Sequence, residues 1–190
     1  MASKYGNRPD GSDGSDFWHR ESIAWQYKVS TENKSRLRLD LLIHFITGFL
    51  MFIRLLPALT AFFGMSVKML RRWDLPAPRS WEYAWFISVV AAVLGWRAMP
   101  TNQIFLIKQY MLGSVVFGIF PVIFGFIDVA DDLGNYYNER KYTYVMFGYP
   151  AVIVWFLFLI VAVQLHLFGL YFGTVLVKAW RPRVVKPKEG

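Results

Sequence analysis

An all-α integral membrane protein of four transmembrane helices is the fold this sequence predicts, and three observations predict it. Four stretches are apolar for long enough to cross a bilayer core of about 30 Å, which takes about 20 residues of helix. The 190 residues are 55% hydrophobic and 18% aromatic, more apolar surface than a soluble domain of this length can bury. The formal charge of +8 comes from basic residues that sit between the apolar blocks, where lysine and arginine meet lipid headgroups. The lipid bilayer is therefore the expected partner, and nucleic acid is not. Cysteine is absent, which excludes disulfides, thiolate metal sites and a cysteine nucleophile.

The chain divides into an N-terminal arm over 1–38, a bundle over 39–177 and a basic tail over 178–190. The arm is polar, so no cleavable signal peptide is expected to lead the chain. Its "DGSDGSD" reads as flexible; the following "FWHRESIAWQY" sets Trp18, Ser22, Trp25 and Val29 on one helical face. That pattern predicts a short amphipathic helix on the cytosolic leaflet, or a strap docked on the protein's own spans. The first span, about 41–67, carries Arg54 and Pro57, and a re-entrant hairpin is its alternative. The second, about 81–99, is short between Glu82 and Arg97, which reach the interface by snorkelling. The third, about 109–127, contains Pro121, which predicts at most a kink. The fourth, about 150–172, lies in a run from 142 to 177 without Lys, Arg, Asp or Glu, and is expected to continue as an interfacial helix end. The loops are short.

Four spans put both termini on one side. Eleven basic residues flank the spans on that side and six on the other, which predicts cytosolic termini. The Arg71-Arg72 pair is the main charge against this orientation.

Three histidines are scattered, too few and too dispersed for a metal pair, so neither metal nor cofactor is expected. His44 and His166 fall at similar depth and, with Gln164, are expected to form a packing contact between the first and fourth helices. Arg54, in mid-span, is expected either to pair with Asp128 at the end of the third span or to snorkel alone. Gly169 and Gly173 lie one turn apart, a spacing that lets helices approach closely; Ala91 with Gly95, and Ser114 with Gly118, repeat it. Packing within one bundle or dimerisation both account for it. The sequon Asn33-Lys34-Ser35 is cytosolic on this topology and serves only as a topology reporter.

The chain ends in "KPKEG", with Lys186 and Lys188 three and five places from the terminus. On a cytosolic tail these are the positions of the dilysine signal read by coatomer, the coat of Golgi-to-ER retrieval vesicles. Pro187 keeps the segment extended.

Several stretches are similar to the Jagunal family of endoplasmic-reticulum membrane proteins: "GSDGSDFWHRE" at 11–21, "WEY" at 81–83, "AVQLH" at 162–166 with "LYF" after it, and Lys178-Ala179-Trp180. Their order and spacing match from about residue 11 to 180. The resemblance implies four spans, cytosolic termini, ER residence and a part in ER organisation and vesicle traffic. The family is tied to secretory membrane delivery in egg cells and neutrophils and to the retrieval coat; it has no established catalytic residues. The tail is arranged differently from the family's, so the role of Lys186 and Lys188 rests on their own spacing. The expectation is a non-enzymatic ER membrane protein of the early secretory pathway whose membrane partners are unnamed. The alternatives are a small transporter or enzyme with a polar site at Arg54, His44, Gln164 and His166, and a structural subunit of a larger complex.

Overall fold

The computed structural model describes residues 16–65, 67–71, 73 and 75–181. Four helices are long and apolar enough to cross a membrane: Arg20–Phe62, Ser80–Thr101, Ile104–Glu139 and Ala151–Trp180. The all-α class and the four spans therefore stand, with every span longer than the composition alone marked out.

The first helix, α1 (Asp16–Phe62), runs unbroken for 47 residues. No Gly or Pro stands between Ser15 and Thr47, so nothing stops the helix at the arm. Two expectations change: the arm from Asp16 runs on as one helix with the first span rather than as a separate interfacial helix, its Ser30 and Lys34 set against Trp180 of the last helix, and the first segment is not a re-entrant hairpin. Pro57 sits inside α1 near its end. The helix stops at Gly64, whose φ of +69° only glycine adopts easily. Its N–H reaches Ala61 O and that of Met65 reaches Thr60 O, a Schellman close.

After a short turn, α2 (Lys68–Arg71), come α3 (Ser80–Phe86) and α4 (Ser88–Thr101), which form the second span. They are nearly collinear segments interrupted at Ile87. Glu82 Oε1 accepts the backbone N–H of Arg79 and fixes the start of α3. Asn102, left-handed at φ 54°, ends α4 and leads directly into α5 (Ile104–Gly113). A π-helical stretch, Ser114–Ile119, connects α5 to α6 (Phe120–Glu139). Pro121, whose ring removes a backbone donor, sits just beyond that widened turn, so the third span absorbs its proline by a π-bulge.

The loop after α6 holds a two-residue hairpin, β1 (Val145–Met146) and β2 (Tyr149–Pro150), with Val145 opposite Pro150. Phe147 and Gly148 both have positive φ, 53° and 83°, the pattern of a type I′ turn. The last helix, α7 (Ala151–Trp180), then returns along α1.

The α1–α7 pair is antiparallel and in register over its length. Trp180 donates its indole N–H to Ser30 Oγ at 2.9 Å, and Lys34 lies over the same ring. One end of the bundle thus holds the start of α1 and the end of α7. The apolar core comes in two parts. One, near the chain termini, gathers Leu37, Leu41, Ala92, Ile107, Tyr110 and Leu176. The other, at the opposite end, gathers Met51, Leu55, Trp81, Trp85, Val122, Val152 and Leu159. Polar groups lie between them.

Candidate intramembrane polar site

One face of α1 carries the polar groups inward. Asn33, Asp40, His44 and Arg54 are all buried and recur at three- and four-residue steps together with Leu37, Gly48 and Met51. Such spacing places them on a single helix stripe. Of these residues the sequence pattern marks His44 and Arg54 as intramembrane polar groups and Asn33 only as part of a sequon; Asp40 falls just outside the expected span and gives no comparable signal.

At the middle of the bundle His44 Nε2 lies 2.9 Å from Ser88 Oγ, and His166 Nδ1 lies 2.9 Å from Ser114 Oγ. The two imidazoles meet edge to face with ring centroids 5.0 Å apart. Each serine hydroxyl gives or takes the hydrogen bond according to the ring's tautomer. These four side chains come from four different spans, so the cluster joins all of them. The chemistry is that of a hydrogen-bonded clamp. Among the described residues no group of three His, Cys, Asp or Glu is arranged to hold a metal ion.

Glycine makes room for the clamp. A Cβ on Gly118 would overlap the His166 ring, and one on Gly169 would overlap the Tyr110 hydroxyl and come within 3.0 Å of Asp40 Oδ2. On Gly173 it would press on Met111. Gly169 and Gly173 therefore face α5 inside the bundle. Gln164, in contrast, is exposed and stands apart from the histidines. The expected Gln164 contact fails on helical phase: His166 is two positions on, which turns the two side chains about 200° apart.

Towards the loop end, Arg54 pairs with Glu82, Nε to Oε2 at 3.5 Å, and donates from Nη2 to Pro76 O at 2.8 Å. This corrects the expected Arg54–Asp128 pair. Asp128 instead meets Arg79, Nη1 to Oδ2 at 2.7 Å, and Asp132 meets the other terminal nitrogen at 2.5 Å. The reason is position: Glu82 lies one turn inside α3 facing α1, whereas Asp128 sits where α6 leaves the core. The guanidinium of Arg79 also covers the Trp155 ring at 4.2 Å. Burial works against its charge, but hydrogen bonds and charges from Asp128 and Asp132 outweigh that and hold its pKa above the ordinary value. At the flank of the second span Glu82 looks like a snorkelling residue, and its distance from Arg54 in sequence hides the pairing. Lys186 and Lys188 lie outside the described residues.

Comparison with known proteins gives this architecture its relatives. The family model described as "Jagunal, ER re-organisation during oogenesis" matches residues 1–184. This chain belongs to the Jagunal family. It is similar to protein jagunal of Drosophila melanogaster, 31% identical over 195 residues and covering 99% of each chain. Similarity to protein jagunal homolog 1 of Mus musculus is also 31%, over 95% of this chain and 94% of the relative. With the jagunal homolog of Caenorhabditis briggsae identity is 33%, over 95% of this chain and 97% of the relative. The arm, the four helices and the histidines all fall within the matched stretch.

Proposed function

We propose that this chain is a non-enzymatic membrane protein of the endoplasmic reticulum that organises that membrane and takes part in vesicle-mediated transport in the early secretory pathway. The observation that carries the reading is the family match over residues 1–184, to a family named for ER re-organisation. Both termini face the cytosol, and Lys186 and Lys188 serve as a dilysine signal for the retrieval coat. The charge bias around the spans supports that orientation. The transporter or enzyme reading draws no support from the polar layer, because His44, Ser88, Ser114 and His166 are engaged with one another.

The test is the steady-state location of the intact protein beside a Lys186→Ser/Lys188→Ser double variant, both tagged at the N terminus to leave the terminal carboxylate free. Escape of the variant to the Golgi or cell surface, with the parent held in the ER, is the expected result. Identical ER residence of both would remove the retrieval signal from the proposal and leave retention to the helices.

A further inference from the structure

Four cations stand at one depth of the bundle, one from each span. Leu37, Ala98, Ile107 and Val177 meet in the core cluster nearest the chain termini. Their immediate neighbours Arg38, Arg97, Lys108 and Lys178 come from α1, α4, α5 and α7, and all four are exposed. One residue along a helix turns a side chain by about 100°, so each charge is carried off the core and outward. Leu42, Val93 and Leu112 lie one turn inward on the same faces as the first three, and they are exposed too. Bare apolar side chains of this kind belong against acyl chains. The cations, about 5 Å further out, then stand at the lipid headgroups.

The protein's own acids leave this ring unanswered. At the hairpin end Arg54 meets Glu82, Arg79 meets Asp128 and Asp132, and Lys141 meets Glu139. At the other end α4, α5 and α7 contain no Asp or Glu at all. Of the nearest acids on α1, Asp40 is turned into the bundle and Glu32 lies beside Lys28 at 3.9 Å. None of the four ring cations forms an ion pair among the described residues. At the seam of α1 and α7 the charge is denser still. Lys34 stands one turn from Arg38, where the two like charges act on each other, and its ammonium is held over the Trp180 ring at 5.5 Å.

We propose that this ring binds the phosphate headgroups of anionic phospholipids and draws them out of the surrounding leaflet. A net negative headgroup sets its phosphate against the cations with nothing to offset the attraction. A zwitterionic headgroup brings an ammonium group that the ring repels. Arg38 and Arg97 supply forked donors to phosphate oxygens, and Lys108 and Lys178 add point charges. Depth decides between a lipid and an acidic protein segment. The charges sit at the edge of the apolar belt, where a soluble chain must first displace the headgroups already there. The preference is for charge rather than for one headgroup structure, because the cations lie on four separate spans and each meets its own lipid. The bundle thereby carries a lipid shell unlike the bulk leaflet.

The full chain is reconstituted in phosphatidylcholine vesicles with a trace of spin-labelled phosphatidylserine, phosphatidylinositol or phosphatidylcholine. Electron paramagnetic resonance reads the fraction of each label slowed at the protein surface. Both anionic labels should be held over phosphatidylcholine by about fivefold, the factor that one surface charge contributes. The preference should fall in about 1 M salt, where screening acts within about 3 Å. Arg38→Gln/Arg97→Gln/Lys108→Gln/Lys178→Gln should bring it close to parity at unchanged melting temperature. Arg140→Gln/Lys141→Gln, at the hairpin end, should leave it in place. Should the fourfold variant misfold, Arg97→Gln/Lys108→Gln is read instead and should lower the preference by about half. Equal retention of all labels, a preference that survives loss of the ring, or one lost equally on the hairpin-end change overturns the proposal. So does retention of one anionic lipid but not the other, which means a shaped site in place of a charged ring. A poly-glutamate peptide that binds through the ring and abolishes the lipid preference assigns the ring to an acidic protein partner instead.

Discussion

Two glycines of the third span give opposite expectations for the same substitution. Gly118 lies flush against the His166 ring, so the methyl group of Gly118→Ala must displace an imidazole held by Ser114. A cost of about 1–3 kcal/mol, seen as a lower melting temperature in detergent, is expected from overpacking of this kind. Gly134 has nothing within 4 Å of where its Cβ would stand, and Gly134→Ala should be neutral or more stable by up to about 1 kcal/mol through helix propensity. The buried ion pair makes a second prediction. Arg54→Leu strands the Glu82 charge, and Glu82→Leu strands Arg54, each at about 3–5 kcal/mol, whereas the double variant should lose much less than the two together. Asp128→Leu should add to Arg54→Leu independently; coupling between those two would restore the pair read from the sequence. At this scale the sequence announces that Arg54, His44 and His166 need partners, because a polar group inside a membrane is expensive. It does not name them. Ser88, Glu82 and Tyr110 are selected by which faces meet across different helices, and no local spacing encodes that.

Helices were legible where apolar runs are long, and their ends were not. The composition of 16–40 changes from polar to apolar, which suggests two elements, but helix continuity depends on breakers and there are none until Gly48. What keeps this polar stretch of α1 in place is the end of α7, through the Ser30–Trp180 hydrogen bond, Lys34 over the indole, and Leu37 in the core beside Leu176. Trp180→Ala removes the first two contacts and spares the third. Limited trypsin digestion should then cut sooner after Lys28 or Lys34, at sites about two and a half turns and one turn before Leu37, with the bundle otherwise unaffected. An unchanged cleavage rate would mean that Leu37 and its neighbours hold the segment alone. The third span was legible as a helix, and Pro121 as a perturbation. That the perturbation takes the form of a π-bulge, whose first residue is the Ser114 that meets His166, is not written in the local sequence.

At the scale of the molecule the bundle is two apolar cores with a polar layer between them, and its two ends differ. The end that holds Ser30, Trp180 and the short α4–α5 turn carries most of the described basic residues; the other carries the Arg79–Asp128–Asp132 cluster and the hairpin. Orientation decides what each end meets: with cytosolic termini, the hairpin end faces the lumen. The absence of cysteine makes this directly measurable, since any introduced thiol is unique. Gln103→Cys and Lys141→Cys stand at exposed positions of opposite ends. In cells whose plasma membrane alone is opened, a membrane-impermeant maleimide should modify the thiol at 103 and reach the one at 141 only after detergent dissolves the ER. Residue 103 joins two spans flanked by Arg97 and Lys108, and residue 141 follows the acidic end of α6, so the retention of lysine and arginine on the cytosolic side predicts this order. The reverse order would invert the bundle. It would bring Arg79 and the hairpin to the cytosol, and it would remove the proposed retrieval role of Lys186 and Lys188.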